Sequence, residues 1–518
     1  MAKTFLCTKT EPVVTTKAGK LRGFKLDSTY IFQGIEYAWA ERFQPPQPVE
    51  PWEGIKDALS YGFVSPLLHQ ETPNGELLVP HRYWPMSEHC QNLNIWTQAL
   101  DENAKKPVLV WFHGGGFSAG SAIEHQAYDG ENMSKYGDAV VVSVNHRLNV
   151  LGYFDMEPYG EKYKNSANAG NADLVAALQW IHDNIAQFGG DPENVTIFGQ
   201  SGGGMKVYTL MQTPAADGLF HKGIVMSGVL GAARRNDPGT DSHPLIRAIL
   251  AELGLTEQEV EKLETVPYPA LAAAYEKVSP ALKQTGQYIG CRPKANEFYV
   301  GDPLTVGFTE HAKTIPVMVG TVFGEFAFGP ATPVFNDLSE AEKVEIVRKK
   351  YGEHADELID LFKKAYPEKD LTCLTTVDSM FRVPTMEFID LKAKSPESPT
   401  YSYLFAYDFL YDGGKTAWHC ADIPFVFHNM EMVPVCNEPG VTDELQEQVF
   451  GAYLAFARTG DPNHAGLPHW PASTPGHEQV MVFDRTCSVR ENFDRELLKL
   501  HLKAAPPFRF NSGEPVQH

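Results

Sequence analysis

The chain has 518 residues, of which 43% are hydrophobic and 21% are charged, a balance that supplies a large buried core and excludes disorder as the main state. Asp and Glu outnumber Lys and Arg by 65 to 44, and the net charge of -21 repels phosphate backbones and anionic lipids, so neither nucleic acid nor a membrane is an expected partner. Short apolar runs and an N-terminus without a hydrophobic signal stretch predict a cytoplasmic location.

Short runs rich in β-branched residues, bounded by turn residues, predict five strands. Between and after them, apolar residues at helical spacing predict helices. Strands that alternate with helices predict the α/β class, with a large central, mostly parallel sheet covered by helices. The predicted strands are 107–112, 139–145, 195–199, 223–227 and 315–320, and the predicted helices are 173–188, 205–211, 339–351 and 443–459.

One stretch, 238–287, is rich in helical pattern and contains no strong strand. It is predicted to be a cap inserted over the sheet, so that 1–518 forms a single domain. The seven cysteines form no CxxC pair and are odd in number, which does not indicate a disulfide framework or a sulfur-ligated metal. Neither a metal ion nor a cofactor is predicted.

The strongest functional signal is the predicted strand 195–199, which runs into the G-x-S-x-G pattern 199–203 and then into a predicted helix. Glycines flank Ser201 because side chains there would collide with the neighbouring strand and helix on a tight, strained turn. Such a turn lifts the serine hydroxyl into a cleft near a helix N-terminus. The pattern alone also fits a glycine-rich turn with no chemical role.

A second glycine cluster, His113-Gly114-Gly115-Gly116-Phe117, follows the predicted strand 107–112. Esterases and lipases carry backbone donors for an oxyanion at this position, and glycine lets those N–H groups approach a substrate oxygen closely. A purely structural turn is the alternative for this cluster taken by itself.

With these motifs, the sequence resembles the type-B carboxylesterase family of α/β-hydrolases, which includes carboxylesterases, cholinesterases and some lipases. The similarity extends over nearly the whole chain. It is carried by Phe32-Gln33-Gly34-Ile35, Ser87-Glu88-His89-Cys90, Leu93-Asn94-Ile95-Trp96, Val144-Asn145-His146-Arg147-Leu148, Phe188-Gly189-Gly190-Asp191-Pro192 and Asp422-Ile423-Pro424-Phe425-Val426-Phe427.

The resemblance implies a catalytic triad of Ser201, Glu325 and His419. His419 would take the serine proton, and Glu325 would accept the Nδ1 proton of the histidine and stabilise the imidazolium. The neighbours Gly324 and Phe326 depart from the family's usual Asp and Gly, so a surface glutamate is the alternative for Glu325.

The resemblance also implies residues around the triad. Backbone N–H groups of Gly115, Gly116 and Gly202 would hold the tetrahedral oxyanion. Ser227 and Asp422 would brace the triad. Two ion pairs, Arg42 with Glu88 and Arg147 with Asp173, are expected to be structural.

Departures from the family pattern bear on the substrate. Gln200 replaces the usual Glu, and Gly202 replaces the usual Ala. The missing carboxylate would have helped to hold a quaternary ammonium, so choline esters are disfavoured, and Trp84 is interpreted as a packing residue more readily than as a cation-binding one.

The predicted activity is hydrolysis of small to medium, uncharged carboxylic esters through an acyl-enzyme on Ser201, with a small-molecule ester as the partner. The alternatives are a catalytically silent binding relative and a lipase for longer acyl chains. A lipase predicts an apolar lid at 238–287, and that stretch is rather charged. Both a monomer and a dimer stay open.

Overall fold

The computed structural model describes residues 3–68, 80–230, 241–327 and 331–505. Contacts divide these residues into two compact units. The first unit contains residues 3–68, 82–224 and 241–315, and the second contains residues 80–81, 225–230, 316–327 and 331–505.

The first unit carries a mixed sheet in the order β1-β4-β5-β9-β11-β10-β12. The pairs from β1 to β11 are antiparallel, whereas β10 is parallel to both β11 and β12. The strands are β1 Phe5–Leu6, β2 Val13–Thr15, β3 Lys20–Arg22, β4 Phe24–Leu26, β5 Thr29–Glu36, β6 Ala38–Trp39, β7 Gln47–Pro48, β8 Ile55–Asp57, β9 Asn92–Thr97, β10 Lys106–Phe112, β11 Val140–Val144 and β12 Gly190–Gln200. Along the next strand, β13 Lys222–Met226, the chain passes into the second unit.

The parallel strands β10 and β11 are almost entirely buried, which is the environment expected for Val-rich strands covered on both faces.

Most α-helices of the first unit come after its central strands in the chain. They are Glu131–Gly137, Asn149–Gly152, Ala169–Asn184, Gly202–Met211, His243–Glu252, Tyr268–Gln284, Pro303–Val306 and Glu310–Thr314.

The second unit is built in the same way around the strand order β14-β15-β18-β19. The first three of these strands are parallel, and β19 is antiparallel to β18. The strands are β14 Val317–Val322, β15 Thr400–Phe405, β16 Asp408–Phe409, β17 Lys415–Thr416, β18 Gln479–Phe483 and β19 Ser488–Glu491, and the α-helices are Glu340–Tyr351, Ala355–Ala365, Arg382–Lys392, Ile423–Val426, Thr442–Thr459 and Arg495–Ala504.

The five predicted strands correspond to β10, β11, β12, β13 and β14, and the four predicted helices are also present. The antiparallel edge formed by β1, β4, β5 and β9 was not predicted. All seven cysteines are free thiols. Within the described ranges, no helix is both long and apolar enough to cross a bilayer.

The predicted cap is helical where the structure describes it, and residues 238–240 lie outside the described residues. We call residues 241–287 the cap segment. It consists of the helices His243–Glu252 and Tyr268–Gln284 and the 3-10 helix Glu257–Glu264. Its apolar side chains, including Leu245 and Leu271, pack in one cluster with Val150 and Phe154 of the first unit.

Both expected ion pairs are present, and one of them reaches the cap segment. Arg147 binds Asp173 through Nε at 2.9 Å and Nη2 at 2.7 Å. Arg42 binds Glu88 through Nε at 2.8 Å. The Nη1 group of Arg42 also donates to two carbonyl groups of the cap segment, those of Leu263 and Val266, at 2.7 Å each.

Candidate active site

Ser201 lies between the end of β12 and the start of the helix Gly202–Met211. Its backbone has φ 57° and ψ -120°, a conformation that costs a residue with a side chain about 1–3 kcal/mol. Ser201 is partly exposed, whereas Gln200 before it is fully buried. The strained turn therefore carries the serine beyond the carboxyl end of a parallel strand, where ligands bind in open α/β sheets.

Glycines around the serine let three backbone segments meet. A Cβ on Gly203 would lie 1.9 Å from the carbonyl oxygen of Phe112, and a Cβ on Gly199 would lie 2.5 Å from the carbonyl carbon of Gly203. A Cβ on Gly202 would lie 2.2 Å from the carbonyl oxygen of Gly116 and 2.3 Å from its nitrogen. These distances are far inside van der Waals contact, so side chains at these positions would force the segments apart.

The glycine loop (His113–Phe117) lies directly against this turn. Gly115 and Gly116 have φ of 83° and 62°, a region that glycine adopts without strain. The carbonyl of Gly115 accepts a hydrogen bond from the N–H of Ala119 at 2.9 Å. In the part of the chain that the structure describes, the N–H groups of Gly115, Gly116 and Gly202 donate no hydrogen bond, so they remain able to bind an oxygen of a ligand.

A buried lysine supports the same loop. Lys206 has no exposed surface, and its Nζ donates to the carbonyl of His113 at 2.9 Å. Burial lowers the pKa of Lys206 to about 7, and Glu124 acts in the opposite direction. The rings of His113 and His146 stack with centroids 5.1 Å apart, and burial and the nearby Lys206 hold the pKa of both imidazoles well below the ordinary value. Both histidines are therefore neutral at pH 7.

In the second unit, the structure brings Glu325 and His419 together. Glu325 is fully buried in the turn after β14, and its Oε1 accepts a hydrogen bond from the N–H of Val322 at 3.0 Å. Its Oε2 lies 2.5 Å from Nδ1 of His419. The backbone N–H of His419 also donates to the carbonyl of Glu325 at 2.6 Å. Since a carboxylate can only accept here, Nδ1 carries the proton and Nε2 is the nitrogen that can act as a base.

Two phenylalanine rings lie against the imidazole. The ring centroid of Phe326 is 4.5 Å from that of His419, and the centroid of Phe381 is 5.5 Å away. Phe326 is partly exposed, whereas Phe381 is buried. The two rings restrict the orientation of the imidazole and replace water around it, which strengthens the bond between His419 and Glu325.

Two further carboxylates lie close to Glu325. Removal from water and the charge of Glu325 raise the pKa of both Asp378 and Asp422 to about 7. Asp378 accepts backbone N–H bonds from residues 380, 381 and 382 at 2.9–3.0 Å. Asp422 accepts a hydrogen bond from the hydroxyl of Tyr403 at 3.1 Å. Ser227 is fully buried in the same unit, and its N–H donates to the carbonyl of Gly320 at 2.8 Å.

The predicted site residues thus fall into two groups. Ser201 and the glycines 115, 116 and 202 belong to the first unit, while Glu325, His419, Ser227 and Asp422 belong to the second. Among the described residues, no three His, Cys, Asp or Glu side chains come together as metal ligands.

The sequence analysis missed Lys206, Asp378 and Phe381. A lysine inside an otherwise apolar helix was the available signal for Lys206. The other two carry no local signal, because only the packing of the segment before the helix Arg382–Lys392 brings them to Glu325 and His419.

Comparison with solved structures defines the class of the fold. An esterase from Clostridium hathewayi that can hydrolyse aliphatic aromatic polyesters is 60% identical, covers 97% of this chain and 100% of its own, and superposes with a TM-score of 0.94. A carboxylesterase of Geobacillus stearothermophilus is 30% identical, covers 94% and 99% of the two chains, and has a TM-score of 0.72. The predicted α/β-hydrolase fold is confirmed by these structures.

Comparison of sequences defines the family. Residues 10–500 match the model of the carboxylesterase family. Para-nitrobenzyl esterase of Bacillus subtilis (strain 168) is 30% identical over 501 residues, which are 94% of this chain and 98% of that protein. The chain belongs to the carboxylesterase family, and it is a carboxylic ester hydrolase.

Proposed function

We propose that the protein is a serine carboxylesterase that cleaves small to medium, uncharged esters through an acyl-enzyme on Ser201. The observation that carries the proposal is the bond of 2.5 Å between Nδ1 of His419 and Oε2 of Glu325, because it leaves Nε2 as the proton acceptor. The strained turn at Ser201 and the donor groups of the glycine loop supply the matching nucleophile and oxyanion donors.

The reaction then has two halves. In the first, Nε2 of His419 accepts the proton of Ser201 as Oγ attacks the ester carbonyl, and the N–H groups of Gly115, Gly116 and Gly202 bind the oxyanion. The imidazolium, stabilised by Glu325, gives its proton to the leaving alcohol, and an acyl-enzyme is left. In the second, His419 activates water, which releases the acid and restores the serine.

We extend the proposal to the surroundings of the triad. Ser227 and Asp422 brace it, which is supported by the burial of both side chains and by the electrostatic interaction of Asp422 with Glu325 and His419. Residues 1–518 form one catalytic domain with the cap 238–287 inserted in it, in keeping with a family match over 10–500. A cytoplasmic location, inferred from the N-terminal sequence, belongs to the same proposal.

The substrate class rests on what surrounds the serine. Gln200 supplies no negative charge beside Ser201 for a cationic substrate.

A second candidate substrate is an aliphatic aromatic polyester, and the relative that is 60% identical and hydrolyses such polymers favours it. Release of the aromatic acid from a film of such a polymer, followed by its ultraviolet absorbance, tests this candidate; a film left intact by active enzyme rejects it.

Fluorophosphonate labelling tests the serine mechanism. We expect one covalent adduct on Ser201, which peptide mass spectrometry locates. Ser201→Ala should abolish the adduct, whereas the matched variant Ser118→Ala, just after the glycine loop, should keep it. Folded wild-type protein that stays unlabelled at Ser201 would overturn the proposal and favour a silent binding relative.

A series of p-nitrophenyl esters from acetate to palmitate tests the acyl preference. We expect the highest kcat/KM for short to medium chains. A maximum at palmitate, together with activation at a lipid–water interface, would instead identify a lipase.

A further inference from the structure

Lys206 stands out in the helix that follows the serine. The helix Gly202–Met211 is almost entirely buried, and Lys206 is a cationic residue with no exposed surface in its second turn. A buried ammonium group that forms no ion pair is costly, because its charge loses its hydration. In the part of the chain that the structure describes, no carboxylate forms an ion pair with Lys206. Its Nζ binds a backbone carbonyl, that of His113, at 2.9 Å.

That carbonyl controls the start of the glycine loop. The carbonyl of His113 and the N–H of Gly114 belong to one planar peptide group, so a bond to the carbonyl fixes the plane of the first peptide of the loop. The next residues are glycines, which have no side chains to restrict rotation. At the far end of the loop, the carbonyl of Phe117 accepts a hydrogen bond from the N–H of Asn149 at 2.8 Å, and Lys206 holds the near end.

No other charged or titratable group described near Lys206 takes its place as the donor to the carbonyl of His113. Glu124 interacts with it only through its charge, and the nearby imidazoles of His113 and His146 are neutral. The Nδ1–H of His113 is directed to the carbonyl of Gly114 at 2.9 Å, and that of His146 to the carbonyl of Arg147 at 2.9 Å. Lys206 is therefore the side chain that donates to the carbonyl of His113.

We propose that Lys206 is a positioning residue for the oxyanion donors: its ammonium group holds the carbonyl of His113 and thereby fixes the orientation of the N–H groups of Gly115 and Gly116. This inference rests on the proposed function of the glycine loop. Lys206 touches no reacting atom and acts through the peptide backbone.

The central test compares Lys206→Met with a matched control, Lys222→Met. Lys222 is also a buried lysine of the first unit, but its Nζ binds the side chain of Asn194 at 2.5 Å near the middle of β12, several residues before the serine. With p-nitrophenyl butyrate, we expect Lys206→Met to lower kcat by about 10- to 100-fold, since small displacements of oxyanion donors are costly, while KM stays within about threefold. Lys222→Met should keep the wild-type kcat.

Rescue distinguishes positioning from general support of the fold. Lys206→Arg retains N–H donors and a charge, so it should recover at least part of the lost kcat. The variants are compared at equal folded fraction, measured by circular dichroism. If Lys206→Met does not fold, Lys206→Gln takes its place with the same expected and contradicting results, because its shorter side chain withdraws the donor from the carbonyl of His113.

Three results would overturn the inference: a wild-type kcat in folded Lys206→Met, an equal loss of kcat in Lys222→Met, or a loss confined to KM. Failure of the proposed function looks different, because wild-type protein would then lack the fluorophosphonate adduct on Ser201. Labelled, active wild-type enzyme with an unaffected Lys206→Met rejects only the role of Lys206.

Discussion

The surroundings of the serine and of the histidine differ in the sign of their buried ionisable groups. Beside the serine turn, the buried ionisable group is Lys206, which is a cation when protonated, and it is accompanied by neutral histidines. Around His419, the buried groups are acids: Glu325, Asp378 and Asp422. In the proposed reaction, negative charge develops on the oxygen held by the glycine loop and positive charge develops on the imidazole. The charged forms of the ionisable groups in each surrounding thus have the sign that opposes the charge formed there.

Removing the histidine should have the largest effect. His419→Ala deprives Ser201 of its base, so we expect kcat for p-nitrophenyl butyrate to fall about 10,000-fold or more. Steady-state kinetics on protein shown to be folded measures the loss.

A buried histidine elsewhere in the second unit supplies the control. His501 binds Tyr351 and Ser379 at 3.0 Å each. His501→Ala should lower stability and leave kcat near the wild-type value. Similar kcat values for the two histidine variants would contradict the assignment of His419 as the base.

On the serine side, Gly202→Ala should have the next largest effect. Relatives usually carry Ala at this position, but in this chain its Cβ would lie 2.2 Å from the carbonyl oxygen of Gly116, so the glycine loop must move away from the serine turn. Loss of an oxyanion donor lowers kcat by about 100- to 1,000-fold, and we expect a decrease of up to this size.

Gly254→Ala is the matched control for an added methyl group. Gly254 has φ 70°, and a Cβ there would meet no atom within 4 Å. We expect full activity and a loss of about 1 kcal/mol in the free energy of unfolding. Wild-type kcat in Gly202→Ala would show that the loop tolerates displacement.

The buried acids around His419 should make the folded protein less stable as the pH rises. Burial and the charge of Glu325 raise the pKa of Asp422 to about 7, against about 3.9 in an unfolded chain. Between these values the folded protein holds a proton that the unfolded chain has released, so the free energy of unfolding falls with pH by at most about 1.4 kcal/mol per pH unit. Urea unfolding of wild type and Asp422→Asn should show this slope in the difference between them; a difference independent of pH would contradict it.

The buried Lys206 should make the folded protein more stable as the pH rises. Burial lowers the pKa of Lys206 to about 7, whereas an unfolded lysine keeps its proton to about pH 10.4. Between these values the unfolded chain holds the extra proton, so the wild type should gain stability relative to Lys206→Met as the pH rises. Urea unfolding above neutral pH measures the gain, and a falling difference would refute the buried location of the ammonium group.

Much of the fold could be predicted because its central strands are short apolar runs rich in Val that need no partner to be recognised, as in β10 and β11. The strand β9 could not be predicted from such a run. Its residues Asn92 and Asn94 are polar yet buried, and side-chain hydrogen bonds to Phe63 and Ser143 compensate for their burial. Those bonds join residues far apart in the chain, so no local pattern contains them.

The candidate site also contains residues that a local sequence pattern indicates and residues that only tertiary contacts place there. Glycines around Ser201 mark the turn in the sequence, because close backbone contacts exclude side chains there. Glu325 and His419 came from a resemblance to a family. Asp378 and Phe381 depend on tertiary packing beside those two residues, and nothing in their own segment indicates it.

The contacts of Arg42 have a consequence for how substrates enter. Its guanidinium group ties Glu88 to the carbonyl groups of Leu263 and Val266, so hinging the cap segment outward would leave a buried cation short of acceptors. The cap segment is therefore held in place at Leu263 and Val266, and contact with a lipid–water interface should not open it. Hydrolysis should consequently follow simple saturation with dissolved ester and show no jump in rate when the ester exceeds its solubility limit.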